Sequence, residues 1–199
     1  MVTELEAPLR APLFDRDLSL RAARLRLVVT DVDGVLTDGG VFYSERGEAL
    51  KRFSLRDGMG VERLLADGIE TAFLTRENSA IVERRAEKLT LRRCYLGITN
   101  KLAFLPQLLA DAKLEVADVA YIGDDVNDVG IMAAVGEHGL TGAPLDATPS
   151  VLRLAHHRSM RPGGYGAFRD FAEWILELRQ QARRPTATDA IENIREGGR

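Results

Sequence analysis

The sequence predicts an α/β fold, a Rossmann-like doubly wound parallel sheet carrying a small inserted β-hairpin. Three observations predict it. Short β-branched runs alternate with segments of helical period, the pattern of parallel strands that cross over through helices. Two of those runs, Leu25 to Val29 and Val119 to Gly123, lead into acidic clusters, and open α/β sheets bind ligands at the carboxyl ends of their strands. After the first cluster, Val41 to Leu55 interrupts the rhythm with two alternating stretches around the turn residues Ser44-Glu45-Arg46-Gly47.

Residues 1–24 form an N-terminal extension that mixes Pro8, Pro12 and several arginines without a strong period, although Leu18 to Arg24 reads as a short helix. The run Leu25-Arg26-Leu27-Val28-Val29 is a buried strand, and Asp31-Val32-Asp33-Gly34-Val35-Leu36-Thr37-Asp38-Gly39 is the loop leaving it. In the hairpin insert, about residues 38–56, Val41 and Tyr43 alternate, as do Ala49, Lys51, Phe53 and Leu55. A lone hairpin is marginal in water, so its apolar side requires a partner surface. Helical spacing follows at Val61, Leu64 and Leu65, and Ile69 to Leu74 is a third strand ending at Thr75. Asn78 or Ser79 caps a helix marked by Val82, Ala86 and Leu89. Arg93-Cys94-Tyr95-Leu96 is a short strand, and Lys101 opens an apolar helix that Pro106 restarts or kinks. Phe168, Phe171, Ile175 and Leu178 recur at three and four, making Ala167 to Gln180 amphipathic. The domain proper spans 25–180, and the polar stretch 181–199 reads as a disordered tail.

Composition narrows the function classes. A chain of 199 residues with 45% hydrophobic residues can bury one substantial core. A net charge of -3 argues against nucleic acid as the main partner, because phosphate-backbone binding needs a basic face. Nothing apolar approaches a membrane span, and Met1 to Arg10 lacks a signal-peptide pattern. The single cysteine, Cys94, cannot form an internal disulfide and reads as an inert strand residue, which fits a reducing cytoplasm.

The chemistry lies in the acidic clusters. Either one alone is as well explained by a solvated loop or a helix cap. Two clusters, Asp31 with Asp33 and Asp124-Asp125-Val126-Asn127-Asp128, each following its own strand, point to one site. Crowded carboxylates repel one another and are commonly neutralised by a hard cation, and oxygen-only ligands favour magnesium over zinc. Between them, the Thr75 hydroxyl can donate to a phosphoryl oxygen, and Gly97-Ile98-Thr99-Asn100-Lys101 offers an ammonium at a helix start.

The order Asp-Xaa-Asp-Gly, Thr, Lys, Gly-Asp-Asp-Xaa-Asn-Asp resembles the four motifs of the haloacid dehalogenase-like phosphatases. Within that superfamily the chain resembles the 3-deoxy-D-manno-octulosonate 8-phosphate phosphatases, the small tetrameric type without a separate cap domain. The closer resemblance rests on Asp31 to Gly39, Arg56-Asp57-Gly58-Met59-Gly60, Gly97 to Lys101, Gly123 to Asp128, and Arg161-Pro162-Gly163-Gly164-Tyr165-Gly166-Ala167-Phe168-Arg169. It covers about residues 25–180.

The resemblance implies a magnesium-dependent phosphatase in which Asp31 attacks phosphorus and Asp33 serves as acid and base. It implies Mg2+ held by Asp31, the Asp33 carbonyl and Asp124, phosphate contacts from Thr75 and Lys101, and Asp125 and Asp128 orienting the metal shell or Lys101. It also implies a homotetramer in which hairpins pack together, against the plainer expectation that the hairpin folds on its own domain. Arg56, Arg76, Arg161 and Arg169 are candidates for binding the carboxylate of a sugar acid phosphate, since Arg bonds carboxylate in parallel pairs. Gly163, Gly164 and Gly166 either bend the chain over a ligand, in its own or a neighbouring subunit, or form a turn before the last helix. His138, His156 and His157 have no metal-like spacing. One departure matters: Arg76-Glu77-Asn78 stands where relatives carry Gly-Arg, which leaves open a sialic-acid-like nonulosonate 9-phosphate or another sugar phosphate as substrate. A non-catalytic binding or oligomerisation module is the reading from a different class.

Overall fold

Asp15 starts the first helix: its side chain accepts from the Leu18 amide, satisfying one of the free donors at the amino end of α1 (Arg16–Arg24). The chain, a computed structural model describing residues 15–184, continues through β1 (Leu27–Thr30), the hairpin β2 (Phe42–Ser44) and β3 (Gly47–Leu50), and α2 (Leu55–Ala66). Then come β4 (Glu70–Leu74), α3 (Ala80–Lys88), β5 (Arg93–Tyr95), α4 (Lys101–Ala112), β6 (Val119–Ile122) and α5 (Val129–Gly136). β7 (Leu140–Ala143), α6 (Pro149–Leu152), β8 (His157–Arg158) and α7 (Ala167–Ala182) complete it.

Six strands form one parallel sheet in the order β5-β4-β1-β6-β7-β8, and the hairpin stands apart as a two-stranded sheet. The chain builds outward from β1 through β4 to β5, then crosses to the other side of β1 with β6. The strand order therefore reverses beside the carboxyl end of β1, where such sheets bind ligands.

Period-two alternation divides the core into two layers. Val28, Phe73, Ala120 and Ile122 face one side, packed with Ala22, Val61, Val82 and the α7 residues Phe168, Phe171 and Ile175. Leu27, Val29, Ala72, Leu74 and Tyr121 face the other, against Leu105, Leu108, Ile131, Met132 and Val151. Helices α1, α2, α3 and α7 thus cover one face and α4, α5 and α6 the other, the doubly wound arrangement the sequence predicts. Among the described residues no helix is long and apolar enough to cross a membrane.

Three local expectations are corrected. Pro106 neither restarts nor breaks α4, which runs unbroken from Lys101 to Ala112. The proline removes only the bond to the carbonyl of Leu102, a half-exposed residue. Leu65 follows the helical period yet is 55% exposed, because the buried stripe of α2 runs through Asp57, Val61 and Leu64. In the hairpin the alternation fails. A register shift between Phe42 and Tyr43 leaves both exposed. The strand ends at Leu50, after which Lys51 is buried and Phe53 packs onto the core beneath the Arg85 guanidinium, 5.5 Å from its ring centre.

The segment around Gly163 packs on its own subunit. A Cβ at Gly163 would lie 1.9 Å from the Gly34 carbonyl oxygen, and the Gly164 amide donates to Val35 at 2.9 Å, so this stretch clasps the loop after β1. From α2, Asp57 accepts the Arg169 amide at 2.9 Å and so caps the start of α7. Ser79, not Asn78, caps α3.

Arg179 joins the last helix to the first. Its Nη1 donates to the carbonyls of Ala22, Ala23 and Leu25 at 3.0, 3.2 and 3.0 Å, and its Nε binds Asp67. Arg179→Met should lower stability by about 2 kcal/mol, since it strands these carbonyls and an acid partner. Denaturant unfolding measures the loss.

Candidate active site

Asp31 and Asp124 stand just past the carboxyl ends of adjacent strands, one residue beyond β1 and two beyond β6. Asp31 follows β1, and its amide donates to the Ile122 carbonyl of β6 at 3.0 Å, stitching the two strand ends together. The Asp31 side chain is buried, with one oxygen accepting the Val32 amide at 2.7 Å and the other facing Lys101 Nζ at 2.8 Å. The loop returns on itself: the amides of Leu36 and Thr37 donate to the Val32 carbonyl at 2.9 and 3.0 Å. Gly34 sits at φ +90°, and a Cβ there would lie 2.0 Å from an Asp124 oxygen, so only glycine lets the two acidic loops meet.

Lys101 enters from the first turn of α4, which Asn100 caps by accepting the Ala103 amide at 3.0 Å. Its ammonium is fully enclosed between Asp31 and Asp128, the latter at 2.7 Å. Burial alone would lower the Lys101 pKa, but the charges of Asp31 and Asp128 outweigh it and raise it. Asp128 also accepts the Tyr121 hydroxyl at 2.7 Å and the amides of Asp124 and Asp125 at 2.9 and 3.3 Å.

Asp31, Asp124 and Asp128 can bring three carboxylate oxygens within 4.8 Å of one another, yet their capacities differ. The four donors on Asp128 use up its oxygens, which assigns it to holding Lys101 and the second acidic loop. Asp124 Oδ1 is buried without a hydrogen-bond partner. An orphaned acidic oxygen beside Asp31 fits a hard cation.

The other expected residues divide between two cavities. One, of about 350 Å³, is lined by Asp31, Asp33, Thr75, Arg76, Glu77, Asp124 and Asp125. Thr75 is held by backbone bonds to Tyr95 and Ile98, and Asp125 is exposed at the rim. A second cavity, of about 390 Å³, gathers Arg56, Arg161 and Arg169 around Tyr165. Arg169 is already bonded to Glu173 at 2.6 Å. The four arginine candidates therefore do not converge, and only Arg76 lines the acidic cavity.

Sequence reasoning missed Lys51. Its Nζ donates to both oxygens of Asp33 at 2.6 and 2.7 Å and meets Glu48 at 3.1 Å. The signal was a lysine standing in phase with Ala49, Phe53 and Leu55, where the alternation called for an apolar side chain. Tyr121, read only as part of a strand, was missed too, and nothing in the strand marks its hydroxyl for Asp128.

Comparison with known proteins places this geometry among relatives. No family model matches the chain. A 3-deoxy-D-manno-octulosonate 8-phosphate phosphatase of Yersinia pestis is 40% identical over 160 residues, covering 80% of this chain and 84% of that protein. The crystal structure of the phosphatase of that name from Moraxella catarrhalis, in complex with magnesium ion, phosphate ion and KDO, is 30% identical with a TM-score of 0.77, covering 84% of this chain and 94% of that one. A structure from Legionella pneumophila described as a putative haloacid dehalogenase (HAD) superfamily hydrolase, subfamily III A, is 36% identical with a TM-score of 0.77, covering 83% and 90%.

The acidic cluster makes stability depend on pH. Burial, then the charge of Asp128, pushes Asp31 up from 3.8 to about 7, and burial, then Asp31, pushes Asp124 up from 3.8 to about 8. The folded chain thus keeps protons that the unfolded chain has released, so the contribution of both groups declines as pH rises from about 4 to about 8. Asp124→Asn removes one of these groups. Thermal melts in chelator at about pH 5 and about pH 8 should show the variant gaining on the natural chain as pH rises; an unchanged difference would contradict the burial of these charges.

Proposed function

The chain belongs to the 3-deoxy-D-manno-octulosonate 8-phosphate phosphatase family of the haloacid dehalogenase superfamily, and on that premise we propose that it is a magnesium-dependent phosphatase of that sugar acid phosphate. The observation that carries the proposal is the buried Asp31–Lys101–Asp128 array beside the orphaned oxygen of Asp124. A binding module has no need of a nucleophile and an unsatisfied acid lining one cavity with an enclosed ammonium against the nucleophile.

Asp31 attacks phosphorus, the bond to the sugar oxygen breaks, and an aspartyl phosphate forms. Asp33 gives its proton to the departing oxygen, then takes one from the water that hydrolyses the intermediate. Lys101 and Thr75 spread the charge of the equatorial oxygens, and Lys101 offsets the repulsion between Asp31 and the phosphate dianion. Asp128 fixes the ammonium in place, and Asp125 lies at the rim to order the water shell. Asp31, the Asp33 carbonyl and Asp124 would hold Mg2+, which supplies charge neutralisation and Lewis acidity toward a phosphoryl oxygen.

Arg76 is the arginine placed to meet a substrate carboxylate from within the same cavity. Arg56, Arg161 and Arg169 line the second cavity and not this one. Because Arg76 and Glu77 both line the cavity and depart from the family's Gly-Arg, a nonulosonate 9-phosphate is the second reading. A panel of the two sugar acid phosphates, compared by kcat/KM, separates them.

The hairpin favours a homotetramer, since Phe42, Tyr43 and Leu50 are 66%, 73% and 64% exposed on two strands that cannot stand alone. A reducing cytoplasm suits the lone Cys94, whose thiol is pushed up to about 11 by burial, then by Glu83.

Three outcomes test this reading. Asp31→Asn should fold yet lose essentially all phosphate release, and chelator should abolish the natural chain's activity until magnesium is returned; substantial turnover by the variant would sink the covalent route. Leu50→Glu should lower the mass in sedimentation and reduce sugar acid phosphate turnover together, whereas a tetramer of unchanged mass would remove the hairpin from the interface. Phe53 is no site for that test, because its own core covers it.

A further inference from the structure

We infer that Lys51 is a positioning residue for Asp33, holding that carboxylate at the mouth of the acidic cavity and tying it to the hairpin. The inference rests on the reading of Asp33 as the acid and base of the reaction.

The Lys51 side chain is completely enclosed, an unusual place for an ammonium unless every donor is matched. It is matched. Three N–H donors meet three oxygens: Asp33 Oδ1 at 2.6 Å, Asp33 Oδ2 at 2.7 Å and a Glu48 oxygen at 3.1 Å. Glu48 belongs to β3 and also accepts the hydroxyl of Ser79, the residue that caps α3. A continuous set of contacts therefore runs from the start of α3, through the hairpin, to Asp33. Within its own loop the Asp33 side chain has only Thr37, at 3.3 Å.

Two rotatable bonds separate the Asp33 carboxylate from the backbone, and at the mouth of the cavity, with 23% of its side chain exposed, an untethered carboxylate would turn outward to water. Lys51 opposes that turn by gripping both oxygens from one side. A carboxylate accepts about four hydrogen bonds, so the sites not taken by Lys51 and Thr37 still face a leaving oxygen or a water. Because Lys51 stands directly after β3, displacement of the hairpin would displace Asp33.

A positioning role differs from a merely structural one in which substrate it affects. Protonation of the leaving group matters for an alkyl sugar ester and little for an activated aryl ester. The experiment compares the natural chain, Lys51→Met, Asp33→Asn and the double variant on 3-deoxy-D-manno-octulosonate 8-phosphate and para-nitrophenyl phosphate with magnesium. Hydrolysis of the intermediate is common to both esters, so the contrast lies in the first turnover, where Lys51→Met should slow release of the sugar about 10- to 100-fold, with KM and the aryl burst held within about threefold. Lys51→Arg should recover most of the loss. In the Asp33→Asn background, Lys51→Met should cost less than about twofold, because its partner has gone.

Equal losses on both esters, additive losses in the double variant, or no loss overturns the inference. If Asp33→Asn itself fails to discriminate between the esters, the acid-base reading fails and takes the inference with it. If Asp33→Asn discriminates and Lys51→Met does not, the inference alone fails. Should Lys51→Met not fold, Glu48→Gln loosens the third contact of the ammonium while keeping an acceptor for Ser79. It should show the same selectivity at about threefold, and losses alike on both esters would overturn the inference.

Discussion

An enclosed ammonium needs an acid on each side, and Lys101 has one: Asp31 at 2.8 Å and Asp128 at 2.7 Å. Removing the ammonium would leave two acids facing one another in the interior without their cation, a loss of about 3–5 kcal/mol. The demand reaches further than the pair. Asp128 must be held by Tyr121 and by the amides of Asp124 and Asp125, which fixes the second acidic loop. Asp31 must be held by Val32 and by the Ile122 carbonyl, which fixes the first. One buried charge thereby sets the conformation of both loops. It also leaves a deficit: three carboxylates surround a single ammonium, and Asp124 carries the unsatisfied oxygen that a divalent cation would meet.

Close approach is the second constraint, and it links the last helix to the first loop. Gly34 must have no side chain so that Asp124 can come alongside, and Gly163 must have none so that its turn can press on the Gly34 carbonyl. Behind Gly163, α7 is capped by Asp57 from α2 and tied to α1 by Arg179. Helices remote from the acids therefore reach the site through backbone contact. The Arg161 to Arg169 stretch, open to reading as a cover for ligand, is in this subunit a brace for the loop that carries Asp31.

These particulars explain what the sequence could disclose. The strand runs before Asp31 and Asp124 are locally complete signals, since β-branched residues and the following glycines are adjacent in the chain. The class of fold and the meeting of the two acidic clusters followed from them, whereas Thr75 and Lys101 joined the site through the motif order that the family resemblance supplied. Lys51 gave a fainter signal because its partners, Asp33 and Glu48, belong to different elements and only the hairpin's bend unites them. The register shift that leaves Ala49 unpaired opposite Phe42 and Tyr43 broke an alternation that was sound as a pattern, since one extra residue reverses the faces of all that follow. Arg56 and Arg76 could not be told apart in sequence either, because exposed arginines carry no period that says which cavity they line.

Exposure also rises along the line from chemistry to selectivity. Asp31 and Lys101 are 4% and 1% exposed, the Asp33 side chain is 23% exposed, and Arg76 and Asp125 lie open at the rim. Groups that must hold charge against a phosphoryl centre gain from low dielectric and fixed partners, so they sit deep and are specified by the fold. Groups that distinguish one sugar acid from another must meet a variable part of the ligand, and nothing in the core dictates their identity. On the function proposed, the reaction is therefore written in residues that the fold holds deep, whereas selection of the substrate would fall to the exposed rim, where Arg76 and Glu77 line the cavity.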